Sequence, residues 1–160
     1  MRQLFHAEGI LNRDFVGQIT YTVCLEKPCR AMDIAMTFDR QHFSEEDITP
    51  EMEESVLLEI RENYGLSPGP CELRRMMLQD MKTEIHLLAM MNDTFIGCIH
   101  RQLTERHMHF ENGLATEGCL PVDRFEGVLQ VTVLVFNVIM DGTRYTLSVS
   151  GEEDQDAAPV

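Results

Sequence analysis

The stretch Ile19-Thr-Tyr-Thr-Val-Cys-Leu-Glu-Lys-Pro-Cys-Arg-Ala-Met-Asp-Ile-Ala-Met-Thr-Phe38 carries the clearest structural signal in the chain. Ile19, Tyr21, Val23 and Leu25 alternate with Thr20, Thr22 and Cys24. After Glu26-Lys27-Pro28-Cys29 the apolar positions change parity, to Met32, Ile34, Met36 and Phe38. Strand side chains point to opposite faces with period two, so each half reads as a half-buried strand. A four-residue loop would pair Leu25 with Arg30, Val23 with Met32 and Tyr21 with Ile34, which brings both apolar sets onto one face. The sequence predicts a β-hairpin here. Residues 4–11 read as a further strand, joined through Asn12-Arg13-Asp14.

Beyond this stretch comes a helix over residues 50–64. Thr49 is a suitable N-cap, Pro50 suits the first turn, and Glu51, Glu53 and Glu54 complement the positive end of the dipole. Met52, Val56, Ile60 and Tyr64 form an i, i+4 stripe with Leu57 beside it, and Gly65 stands where a left-handed C-cap belongs. A second hairpin is predicted near the C-terminus. Residues 129–140 are rich in Val and Leu, Asp141-Gly142 is a type I′ turn signal, and residues 143–150 return. A two-residue turn would pair Met140 with Thr143, Val138 with Tyr145, Phe136 with Leu147 and Leu134 with Val149. The other face (Val131, Val133, Val135, Ile139) is also apolar, so this strand is expected to be central and covered on both sides, by the helix or by a second layer.

Residues 71–112 are ambiguous in period. Leu73, Met77, Met81, Ile85 and Leu88 fit a helical stripe, yet Thr94, Gly97 and the β-branched Ile96 and Ile99 favour strands after residue 83, with Asn92-Asp93 as a turn. The fold class that results is α+β. It has a mostly antiparallel, curved sheet of six to eight strands in meander order, forming a partial barrel or sandwich. One amphipathic helix is inserted at residues 50–64. A single domain spans residues 1–150 and an acidic, disordered tail spans 151–160.

The chain has 160 residues, a size for one domain. Thirteen Lys and Arg stand against 27 Asp and Glu, a formal charge of −14. That argues against nucleic acid and anionic membrane surfaces as partners. Residues 39–62 hold nine acids and two bases, and residues 152–156 hold four acids, so these two segments carry 11 of the 14 net negative charges. The first residues contain no signal-peptide core, and the longest apolar run, residues 128–140, is too short and too polar to span a bilayer. A cytoplasmic protein is expected. Cys24, Cys29, Cys71, Cys98 and Cys119 contain no C-x-x-C pair, and are read as reduced thiols, mostly buried. Eleven methionines, several of them between Met76 and Met91, read as adaptable core filling.

Only one constellation suggests chemistry. If residues 96–103 pair with residues 106–111 across a turn at Thr104-Glu105, then His100 faces His109, Gln102 faces His107 and Cys98 faces Glu111. His100, His107 and His109 would then share one face, the donor set of a zinc or other divalent transition-metal site with a position open for water. A solvated polar face accounts for the same residues. No phosphate loop, nucleophile elbow, H-E-x-x-H or dinucleotide turn is present. The first functional expectation is an acidic interaction protein without catalytic activity, of the adaptor, inhibitor, immunity or chaperone kind, meeting a basic partner through the helix face and the tail. The second is a small-ligand carrier or metal-dependent enzyme built on the histidine face.

Overall fold

The computed structural model describes residues 1–100 and 103–154. Eight strands and two helices follow the order β1 (Arg2–Leu11), β2 (Gly17–Phe38), α1 (Pro50–Tyr64), α2 (Pro70–Gln79), β3 (Glu84–Met91), β4 (Thr94–Ile99), β5 (Glu105–Glu111), β6 (Leu114–Ala115), β7 (Phe125–Asn137) and β8 (Thr143–Glu153). Every pairing between these strands is antiparallel. The strand order is β1-β8-β2-β7-β3-β4, with β5 added to β2 and β6 to β5. The path ends on β1 and β4, so the sheet is not closed, and the order is not a meander. No helix among the described residues is long and apolar enough to cross a membrane.

The stretch from Ile19 to Phe38 does not turn back. It is part of β2, a single strand of 22 residues. Its first half, up to Leu25, pairs with β7, while its second half pairs with β8 on one edge and β5 on the other. The parity change is absorbed by bulges. Four residues of β2 advance the β7 register by two between Leu25↔Gly127 and Cys29↔Phe125, and a second shift falls between Cys29 and Ala31 against β8. A bulge and a hairpin loop produce the same phase shift in sequence. The segment Glu26-Lys27-Pro28-Cys29 contains no Gly, Asn or Asp to supply the left-handed residue that tight hairpins use. No residue between Gly17 and Phe38 has a positive φ. Pro28 fits the bulge, where no N–H is needed for the ladder, and its carbonyl accepts from the Asp154 amide at 2.9 Å.

The second hairpin is also not formed. Gly142 takes the left-handed conformation (φ 70°), but β7 pairs with β2 and β3, whereas β8 pairs with β1 and β2. Both edges of β7 are occupied, and the chain leaves the sheet after Asn137. The Ile139 amide donates to Thr83 Oγ1, the Val138 carbonyl accepts from the Asp14 amide, and the Arg144 amide donates to Asp39 Oδ1. These contacts replace the ladder that a hairpin would have used. The core face of β7 is accordingly the odd one, Leu129, Val131, Val133 and Val135, while Phe136 is 52% exposed. β7 is central, as expected, but its even face is only partly covered and α1 does not lie on it.

Helix α1 has the expected bounds. The Thr49 hydroxyl accepts from the Met52 amide, and Gly65 closes the helix at φ 66°. Val56 and Ile60 are buried, with Met52 and Leu57 packed at the margin, against Leu73 and Met77 of a second helix, α2, and against Phe43, Ile139 and Met140. The single inserted helix of the sequence reading thus becomes two. The stripe Leu73–Met77 belongs to α2, and the strand pattern takes over after Thr83. Asn92 and Asp93 (φ 48° and 62°) make the two-residue turn between β3 and β4 with Met91 opposite Thr94. The boundary drawn at residue 151 also moves. Gly151–Glu153 continue β8, where Glu152 pairs with Arg30, and Glu153 with Arg2 at 2.7 Å and Lys27 at 3.1 Å. The remainder of the expected tail, residues 155–160, lies outside the described residues.

Candidate functional site

The histidine face follows from which strand takes β5 as its neighbour. The outer edge of β4 is occupied: the Cys98 amide donates to Gly118 O at 3.0 Å and the Leu120 amide to Ile96 O at 2.8 Å. Cys119 lies so close over Gly97 that an added Cβ would stand 2.5 Å from its Sγ. β5 therefore pairs with β2, with His107 opposite Ala35 and His109 opposite Asp33. Its parity is as read from sequence: Arg106, Met108 and Phe110 point into the core, and the two histidines point out.

The three-histidine arrangement is not formed. His100 stands beside His86, with ring centroids 5.8 Å apart, and Gln102 lies outside the described residues. His107 Nε2 and His109 Nδ1 instead converge on one oxygen of Asp33, at 2.9 and 2.7 Å. A carboxylate only accepts, so both nitrogens carry a proton. His109 Nε2 faces Glu111 Oε2 at 3.6 Å. The hydrogen bond that His109 donates to Asp33, aided by Glu111, raises the His109 pKa above its ordinary value. This is an acid–base cluster of two imidazoles and two carboxylates on an open face. Among the described residues no group of three or more His, Cys, Asp or Glu could hold a metal ion. Asp33 was not singled out by the sequence reading. Its only mark there is that it is the one charged side chain on the outer parity of residues 31–37, and the β2–β5 register is what gives it meaning.

The cysteines are free thiols. Only Cys29 is buried; Cys24 and Cys71 are exposed and Cys98 and Cys119 intermediate, so the expectation of mostly buried thiols is corrected. Burial raises the Cys29 and Cys98 thiols and pushes Cys119 up to about 11, which keeps these three protonated and unreactive at neutral pH.

The acidic helix has two sides. Towards the body of the protein, Glu53 and Glu45 share Arg74, at 3.2 and 3.1 Å, and Glu59 holds Arg13 at 2.7 Å. Arg13 also donates to Ser55 at 3.0 Å, which ties the β1–β2 turn to the helix. On the outer side, Glu54, Leu58 and Glu62 follow one another at i, i+4 spacing, and all three are exposed. Glu46, Glu54 and Glu62 make no ion pair among the described residues. Glu51 caps the helix start, where its own amide and the Thr49 hydroxyl hold its pKa down.

Fold and sites together define an antiparallel β protein with two short helices, a carboxylate-bridged histidine pair on the sheet, and on the outer side of α1 the exposed acids Glu54 and Glu62, which make no ion pair among the described residues. Residues 1–156 match the model of a family of unknown function, DUF6669, and the chain belongs to that family. No curated protein and no solved structure gives a significant match.

Proposed function

We propose that this protein is a binding module, of the adaptor or inhibitor kind, that engages a basic protein through the outer side of α1. The observation that carries this reading is the division of the acids. Those facing the protein are neutralised by Arg13 and Arg74, while Glu46, Glu54 and Glu62 point outwards without a cation among the described residues. Exposed charges of this kind bring the fold no stability. They do raise the rate and selectivity of association with an oppositely charged surface. The acids Glu152 and Glu153 do not contribute to this surface, because they are spent on Arg30, Arg2 and Lys27.

The test is affinity capture followed by identification of the bound protein, with the wild type and with Glu51→Lys/Glu54→Lys/Glu62→Lys side by side. A single basic protein is expected with the wild type, released by moderate salt and absent with the variant. The same protein captured equally well by the variant contradicts the reading.

A further inference from the structure

Two clefts flank the C-terminal half of α1 and share Glu59 and Asn137 in their walls. The first, of about 430 Å³, lies between the β1–β2 turn and α1 and is lined by Asp14, Val16, Leu58 and Glu62. The second, of about 630 Å³, lies between α1, α2 and the end of β7, and its walls include Tyr64, Leu66, Met76, Met81 and Phe136. Five large apolar side chains line the trough made up of these two clefts while more than half exposed: Val16 at 67% and Leu58 at 56% in the first, Tyr64 at 73%, Leu66 at 55% and Phe136 at 52% in the second. Exposed apolar surface gathered in clefts and edged by polar groups marks an interaction site.

The charge around the trough selects the occupant. Among the described residues Asp14, Glu59, Glu62, Asp80 and Glu84 line it against Arg13 and Lys82. Arg13 is shared by Glu59 and Asp14, Asp80 pairs with Arg75 at 3.3 Å and Glu84 with His86 at 3.1 Å, and the acids still outnumber the bases. We infer that the trough receives a basic amphipathic segment of a partner protein, whose apolar side chains fill the space beside Tyr64, Leu66 and Phe136 while its Lys and Arg residues meet the surrounding acids. This rests on the reading of the α1 side as the contact for a basic protein, and adds where the partner is anchored and by what chemistry. A second copy of this chain would bring acids against acids, and an anionic lipid surface would be repelled in the same way.

The probe is a fluorescein-labelled 18-residue peptide of Leu and Lys at helical amphipathic spacing, with an oligolysine of equal charge as the control. Fluorescence anisotropy is read with the wild type, with Tyr64→Ser/Leu66→Ser and with Glu54→Lys/Glu62→Lys, and amide shift changes are mapped on the wild type. Both altered pairs are exposed, so both variants are expected to melt like the wild type. The Leu/Lys peptide is expected to bind the wild type at least tenfold more tightly than oligolysine. It should lose at least tenfold with Tyr64→Ser/Leu66→Ser, whereas oligolysine binding stays unchanged. Shift changes should fall on residues 58–66, 76–84 and 136–137. Binding that falls with Glu54→Lys/Glu62→Lys but not with Tyr64→Ser/Leu66→Ser overturns the trough and leaves the acidic-side reading standing. Binding that falls with neither overturns both.

Discussion

At Asp33 one carboxylate oxygen accepts from His107 and from His109, and Glu111 stands at the other end of the His109 ring. Negative charge on both sides favours the imidazolium, so His109 titrates above the ordinary 6.5. A histidine whose pKa is raised by folding lends stability in full below its unfolded value and loses it as pH rises through the folded value. Because the side chain is 43% exposed to water, the effect is modest. The stability gap between wild type and Asp33→Asn should therefore be larger near pH 6 than near pH 9. A proton-detected titration should place His109 above 6.5 in the wild type and lower in Asp33→Asn. A His109 titration that does not respond to Asp33→Asn contradicts the geometry. This cluster was half legible in sequence. The His107-x-His109 spacing correctly put two imidazoles on one side of a strand, because that depends on local parity alone. The third member depends on which strand lies alongside, and Gly97 and Cys119 decide that by closing the edge of β4.

Helix α1 was legible to the residue, since each of its signals is local. Thr49, Pro50 and Gly65 act within one turn of the helix ends, and the Val56/Ile60 stripe repeats every four residues. Ile60 is 6% exposed within a small cluster that also holds Leu73, Met77 and Met140. Ile60→Asp places an uncompensated charge there and should cost at least about 3 kcal/mol in a urea titration, or prevent folding. A variant that unfolds at the wild-type midpoint contradicts the docking of the helix. Helix α2 was half legible. Its stripe was visible, but ten residues give fewer than three repeats, and Ile85 and Leu88 of the following strand extend the same period by coincidence.

Across the whole molecule, most strands were readable, but of their pairings only the β3–β4 turn at Asn92-Asp93 was. Alternation reports only that one face of a strand is buried, and both expected hairpins satisfied it. What redirected them is non-local: the bulges at Glu26–Ala31 let β2 serve β7, β8 and β5 in turn, and β7 already had β2 and β3 as neighbours when its chain reached Asp141-Gly142. The shared long strand also explains the placement of the two sites. Its second half carries Asp33 beneath the histidines of β5, and the turn before its first half carries Arg13, which fastens α1 to the sheet and leaves the outer acids free to meet a partner. Cross-strand contacts in an amide-resolved NOESY spectrum test this continuity directly. Tyr21 should show contacts to Val131, and Ile34 to Val149 and Met108. Backbone contacts between Tyr21 and Ile34, or between Val23 and Met32, would mean that the chain reverses at Pro28 and would contradict the unbroken strand on which both sites depend.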